Sequence, residues 1–387
     1  MHGVIKRYIH SFYILLLLCV GFSGQLTFAQ ETRIEQRSQE QQRIVSTMFG
    51  TFSIDASKEK VLLDVIDSST MQRLKLIRQF GMMYYINPKE YSRYDHSLGV
   101  WALIRRFGGS INEQIAGLLH DASHTVFSHV ADFLFCHSSE KCSYQDSIHE
   151  WFLTQQHIPE LLEKHGIALA DILHKSGDHK LLEQDLPDLC ADRIEYNFTA
   201  GVLSGFITAA DIETMLKDLV FENEKWIFTS VATARRFSDM SVDHTEQDWG
   251  SPGNFIAYTI MADAMQRALD LGLVTKDQIH FSDDQTVWDT LCASNDPTLK
   301  KYMAQFLHHR ELITVTTKDS CDMIIATKFR GVNPLVKVDG KLVRLTDCDQ
   351  DYKKKYDRVK TIIKNGWPIT FAPSFAERAR SITPIIS

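Results

Sequence analysis

Residues Ala116–His129 read AGLLHDASHTVFSH, and shortly before them Tyr91–Trp101 read YSRYDHSLGVW. The first stretch opens as an apolar helix and then carries His120, Asp121, His124 and His129. A single histidine on such a face is ordinarily a satisfied core residue. Four such groups call for a shared partner, and imidazole nitrogen with carboxylate oxygen is the donor set that borderline divalent metals take. His96 begins a helix expected over 96–107, and His120 and Asp121 fall on one expected over 112–135. Adjacent helical residues diverge by about 100°. These two can therefore share an ion only if it lies between their side chains and other helices complete the shell. LCADRIEYN places Asp192 at the start of a further helix. The order H…HD…D makes His96, His120, Asp121 and Asp192 a candidate metal quartet. His124 follows His120 by about one helical turn and so shares its face. A histidine titrating near neutrality suits proton transfer, and Asp132 can orient it through the other ring nitrogen. Arg93 offers a planar fork to phosphate oxygens. Read singly, Asp192 is an ordinary acid in the first turn of a helix and Arg93 a surface partner of Asp95; the order of the motif sets them apart.

Working outward, Val61–Met82 shows helical periodicity, with Ser68 and Ser69 placed to cap the second of two helices. Pro88 breaks the pattern. Helices are also expected over 146–156, 189–203, 209–216, 231–240 and 254–271. From Glu311 the character changes: ELITVTT, CDMIIATKF and PLVKVDGKLVRLT are β-rich, and Asp339-Gly340 makes a hairpin turn. YKKKYDRVKTIIKNGW then reads as a basic-faced helix. The expected fold class is mainly α, a helical bundle over 47–310 with a small C-terminal α+β appendage over 311–387.

The chain has 387 residues, of which 44% are hydrophobic, enough for a large core. Its formal charge is −7 and no basic block stands out, so a general nucleic-acid surface is not expected. Lys6 and Arg7 precede the apolar run Tyr13–Gly24, and Thr27 and Ala29 are small or tolerated residues. This is the layout of a secretory signal peptide over 1–29, cut near Ala29, followed by a polar leader over 30–46. The expectation is a periplasmic or secreted protein without a mature membrane span; an uncleaved N-terminal anchor is the alternative. Loss of Lys6 and Arg7 takes the net charge to about −9. Six cysteines then remain, and export permits disulfides. Cys136–Cys142 is a plausible small bridged loop, Cys321–Cys348 a plausible second bridge, and Cys190 and Cys292 fit buried thiols.

LLDVIDSSTMQRLKLIRQFGMMYYINP, SRYDHSLGVW, IAGLLHDASHTVFSH, SIHEWF and ADRIEYN together resemble the HD phosphohydrolase superfamily. The resemblance lies with its deoxynucleotide triphosphohydrolase branch, shared by the animal SAM-and-HD-domain enzymes and bacterial relatives. It runs from about Ser46 to Leu291 and more loosely into KFRGVNPLV. It implies an HD-domain helical bundle and one divalent metal ion (Mn, Fe, Zn, Ni or Mg) on the quartet. His124 then matches a catalytic histidine, Asp132 its acidic partner, His149 a second histidine near the reacting phosphate, and His129 a group that assists the leaving group. Arg93 and Arg193 match phosphate-binding positions, and Gln79 and Tyr196 positions that face the sugar. The implied ligand is a nucleotide or another phosphorylated small molecule. Relatives often assemble through this helical body, which makes a homo-oligomer an expectation.

The sequence also departs from that pattern. HDxGHGPFSH becomes HDASHTVFSH, with Ser123, Thr125 and Val126 replacing Gly, Gly and Pro. Glycines beside a ligand permit close backbone approach, so their loss tightens the pocket. Ala200 stands where dNTPases often place a sugar-holding aspartate. A further phosphate-gripping arginine has no match in RRFSDMSVDHTEQDW, where Arg235 and Arg236 are out of register. Hydrolysis remains the expectation, while triphosphate and deoxyribose specificity stay open. The other readings are an exported phosphomonoesterase or phosphodiesterase and a metal-stabilised ligand-sensing protein. The formal glycosylation sequon at Asn197 falls on the metal helix and reads as chance.

Overall fold

The computed structural model describes residues 33–36, 42–136, 143–173 and 178–375. The expected signal peptide, Cys142 and the last twelve residues lie outside them. The chain opens with an antiparallel sheet of β1 (Arg33–Gln36), β2 (Gln42–Thr47) and β3 (Gly50–Asp55). Part of the expected polar leader is thus strand: Ile44 and Val45 alternate sides of the pleat and pair with Ser53 and Phe52. Next come α1 (Lys60–Asp67) and α2 (Ser69–Arg73). Ser68 caps the second as expected, its hydroxyl accepting the Met71 N–H at 3.3 Å.

Ser92 starts α3 (Arg93–Arg106) through a capping box, in which its hydroxyl accepts the Asp95 N–H and the Asp95 carboxylate accepts the Ser92 N–H. Asp95 is therefore used in the cap and does not pair with Arg93. The single helix expected over 112–135 is two, α4 (Ile111–Leu119) and α5 (Val130–Phe135). Between them, backbone groups leave the helical ladder for tertiary partners. Arg73 donates to the His124 carbonyl (3.0 Å), Val126 N–H to Ile279 O (3.0 Å) and Phe127 N–H to the Asp284 carboxylate (2.7 Å). Phe127 and Ser128 take left-handed backbone angles there (φ 59° and 56°).

The chain continues through α6 (Tyr144–Gln155), α7 (Ile158–Glu163), α8 (Ala191–Leu203) and α9 (Ala209–Lys217). A hairpin of β4 (Leu219–Glu222) and β5 (Lys225–Phe228), missed in the sequence, precedes α10 (Val231–His244). Then follow α11 (Pro252–Asp270), α12 (Lys276–Phe281), α13 (Asp284–Ala293) and α14 (Pro297–Leu307).

The C-terminal region holds β6 (Ile313–Val315), β7 (Met323–Ile325), β8 (Leu335–Val338), β9 (Lys341–Arg344), α15 (Leu345–Cys348), α16 (Gln350–Asn365) and β10 (Trp367–Phe371). Asp339-Gly340 turns the β8–β9 hairpin with both residues at positive φ, as its sequence demands. This region is woven into the body rather than appended to it. β8 pairs in parallel with β5, giving the sheet β4-β5-β8-β9, and the fully buried Tyr352 of α16 donates to Val332 O. One apolar core gathers Trp101, Phe198 and Phe237; a second gathers Phe127, Met261 and Phe306. Among the described residues, no helix is long and apolar enough to cross a membrane.

Cys136 is disulfide-bonded, and Cys142, its expected partner, lies outside the described residues. Cys321 and Cys348 are both free, so the second expected bridge is absent. The two thiols end up on different elements, one before β7 and the other closing α15. Cys190 is buried as expected, but Cys292 is exposed on α13. Asn197 is fully buried and cannot accept a glycan.

Candidate metal centre and its cavity

His96 lies in the first turn of α3, His120 just past the end of α4, and Asp192 in the first turn of α8. Each offers one donor atom, and the three atoms lie within 4.8 Å of one another. His96 Nε2 is 3.0 Å from Asp192 Oδ1 and 3.2 Å from His120 Nε2. Two ring nitrogens face each other at hydrogen-bond distance, and each ring is fixed from behind. His96 Nδ1 bonds the Glu195 carboxylate, and His120 Nδ1 lies 2.8 Å from Gly117 O. Anchoring Nδ1–H leaves the Nε2 lone pair free to point at the shared centre, the arrangement found in metal-ligating histidines. The donor set fits a divalent cation.

Asp121 is 3.6 Å from both Nε2 atoms, but its carboxylate is shared. It also bonds the buried Arg93 guanidinium and lies 3.2 Å from His124 Nε2. Glu195 was missed in the sequence. Its signal was available, since it follows Asp192 by three residues and so shares its helix face. Tyr91 and Thr199 hydroxyls hold its other oxygen at 2.6 and 2.7 Å. Gly99 makes room for it, because a Cβ there would lie 2.8 Å from Glu195 Cγ.

Electrostatics follow from this burial. Desolvation lowers the His96 pKa, yet Glu195, Asp192 and Asp121 outweigh it and push it up to about 10 in the absence of a cation. Asp192 and Asp121 stay well below the usual carboxylate range despite burial, held there by the histidines and Arg93. His124 goes the other way: burial and Arg93 push it down to about 3. It is therefore a neutral imidazole, and its Nδ1 has no hydrogen-bond partner among the described residues.

Asp132 does not orient His124. It accepts from His129 Nδ1 at 3.1 Å and from the Tyr144 N–H at 2.8 Å. Both Asp132 and His129 belong to the start of α5, three residues apart, whereas the bend after α4 turns His124 toward Asp121. The His124 and His129 rings stand edge to face, 5.0 Å between centroids. His149 is buried and does not line the cavity. Its Nδ1 is 2.8 Å from the hydroxyl of Ser123, which itself donates to Gln145 O.

These groups open on a cavity of ≈ 1770 Å³. Gln79, Arg93, His129, Arg193 and Tyr196 all reach its wall. Gln79 Oε1 is buried without a hydrogen-bond partner among the described residues. Arg193 is largely buried and donates to Glu183 (3.3 Å) and Gln184 O (3.1 Å). Arg235 and Arg236 lie elsewhere, paired with Asp239 and Asp349 and with Asp211. The rest of that stretch continues α10 and ends in a π-turn, Thr245–Trp249, which lines the cavity with Gln247, Asp248 and Trp249. Trp249 stacks on His244 and meets Tyr196 edge to face at 5.1 Å. Residues Lys328 and Arg330 enter from the C-terminal region.

A helical body whose separate helices converge His, His and Asp donors beneath such a cavity defines a metal-binding class. Residues 93–202 match the HD domain family. The chain is 31% identical to the uncharacterized protein YdhJ of Bacillus subtilis over 324 residues, 84% of this chain and 97% of that one. It is 28% identical to the metal-dependent phosphohydrolase cns2 of Cordyceps militaris, covering 71% of this chain and 80% of that one. Likeness to the bovine deoxynucleoside triphosphate triphosphohydrolase SAMHD1 is local: 37% over 91 residues, 19% of this chain and 15% of that one. A hypothetical protein from Aquifex aeolicus shares the fold, with a TM-score of 0.62 at 16% identity, over 86% of this chain and 97% of that one. The chain belongs to the HD-domain family.

Proposed function

We propose that the chain is a divalent-metal-dependent phosphohydrolase that acts on a nucleotide phosphoester or phosphoanhydride, in the manner of the dNTP triphosphohydrolases. The observation that carries this is one wall holding the metal donors, a neutral His124 and the His129–Asp132 pair. His96, His120, Asp192 and Asp121 would hold the cation. The cation supplies Lewis-acid polarisation of a phosphoryl oxygen and activation of the attacking water. Arg93 places positive charge beside the reacting phosphate. Neutral His124 has a free nitrogen to take a proton, and a phosphate that offsets the Arg93 charge makes it a better base. His129, backed by Asp132, is placed to return a proton to the leaving oxygen. The aromatic wall of Tyr196 and Trp249 suits a substrate that carries a flat ring. The basic N-terminal residues followed by an apolar run, together with the disulfide at Cys136, support action outside the cytoplasm.

The test is a turnover screen of the chain loaded with Mn, Fe, Ni, Zn or Mg, with products identified by mass. Release of intact triphosphate from a nucleotide is the expected result. Orthophosphate or an opened diester would move the activity to a phosphomonoesterase or phosphodiesterase. Silence with metal bound would leave a ligand-sensing protein. His124→Ala should lower kcat on the order of 10²–10⁴-fold while keeping its metal; unchanged turnover would remove the role given to His124.

A further inference from the structure

The segment 326–334 between β7 and β8 has no regular secondary structure, yet it is pinned at both ends. Thr327 donates to Gly250 O at 2.9 Å, Val332 is fully buried and accepts from Tyr352, and the Asn333 N–H donates to Pro187 O at 3.0 Å. Between these anchors Lys328 and Arg330 line the same cavity as the metal donors. Neither makes a side-chain hydrogen bond or ion pair among the described residues. Of the other basic side chains lining the cavity, Arg93 is paired with Asp121, Arg193 with Glu183, and Lys89 bonds the Ser204 hydroxyl, while Arg310, Lys360 and Lys364 also lack such a bond among the described residues but lie outside this pinned loop.

We infer that Lys328 and Arg330 grip the outer phosphates of a polyphosphate ester whose inner, reacting phosphate lies at the metal centre. This rests on the hydrolase reading of that site and names the part of the substrate that the HD helices leave unheld. In a chain with net negative charge, two unpaired cations fixed beside further cations repel one another unless an anion joins them. The repulsion registers on Lys328, whose pKa is lowered first by Arg330, then by burial, with Arg193 adding to it. Arg330 also acts electrostatically on Tyr196 and Tyr258, both of which line the cavity. Guanidinium and ammonium donors on a pinned loop lose little freedom on binding, which is what phosphate recognition rewards. The arginine sought on the HD body is thus replaced from the C-terminal region.

The probes are inorganic tripolyphosphate and orthophosphate, measured by calorimetry on the full metal-loaded chain. Lys328→Met and Arg330→Met should each weaken tripolyphosphate binding on the order of tenfold, and the double variant more. Orthophosphate affinity should stay within about twofold, because that ligand needs only the inner site. Arg330→Lys should retain part of the affinity, and Arg236→Met, outside the cavity, should change nothing. Equal binding of tripolyphosphate by all variants, no binding by the unmodified chain, or a parallel loss of orthophosphate would each overturn the inference. Tripolyphosphate binding that depends on both residues in a protein that hydrolyses nothing would uphold this inference and sink only the hydrolase reading.

Discussion

Glu195 touches no reacting atom, yet it fixes the ring that does the ligating. Its carboxylate accepts a hydrogen bond from His96 Nδ1–H, and that bond sets which nitrogen faces the shared centre. Glu195→Gln keeps the shape and removes the charge. We expect divalent-metal affinity to fall about 10–100-fold, read by competition with a fluorescent chelator. Unaltered affinity would mean that packing alone orients His96. His124 and His129 illustrate a different division of labour. Burial keeps the first neutral, while the second is partly exposed and has a carboxylate behind it. In the proposed reaction the first would receive a proton and the second give one.

At the scale of elements, the centre exists because α3 and α8 lie close enough for His96 to reach both Asp192 and Glu195. Gly99 permits that spacing. Gly99→Val adds a branched side chain where even a Cβ would meet Glu195 at 2.8 Å. The helices must separate, at a cost of about 1–3 kcal/mol, and metal retention should fall in the same variant. Full stability with lost metal, or the reverse, would show that the two are not coupled through this contact.

The loop before α8 is tied in a similar way. Asp188 accepts from Lys225 of β5 at 2.8 Å and also bonds Arg344 of β9. Burial raises its pKa, but these two cations outweigh it and the net shift is downward. A carboxyl depressed in the folded state contributes stability above its unfolded pKa of about 3.9, and the contribution is lost as pH falls through the folded value. Asp188→Asn should therefore cost about 1–3 kcal/mol at pH 7. The gap from the unmodified chain should shrink at about pH 3 and below, measured by denaturant titration. A gap independent of pH would argue against the ion pairs as its origin.

Across the whole molecule, the C-terminal region is part of the same unit as the HD body. β8 covers the edge of β5, and α16 buries Tyr352, Tyr356, Val359 and Ile363. A chain ending at residue 310 should expose that edge and the apolar face left by α16. We expect aggregation or a molten state rather than a folded HD domain, seen by size exclusion and near-ultraviolet circular dichroism. A monomeric, cooperatively melting product would show that the region is dispensable for folding.

The sequence by itself determined what depends on near neighbours. The Ser68 and Ser92 caps, the Asp339-Gly340 turn and most helix positions follow from rules spanning a few residues. The H…HD…D order put four candidate ligands on one centre, and three of them, His96, His120 and Asp192, do bring donor atoms within 4.8 Å of one another. Local periodicity failed where backbone groups found distant partners. The stretch after Leu119 looks helical, yet Arg73, Ile279 and Asp284 draw its carbonyl and N–H groups away. Only the tertiary structure decided that the bend after α4 turns His124 toward Asp121, that Glu195 stands behind His96 from 99 residues along the chain, and that Lys328 and Arg330 reach the cavity of the HD helices. Each of these depends on how separate elements pack, because burial and long-range contact set which of several plausible partners a charged group meets.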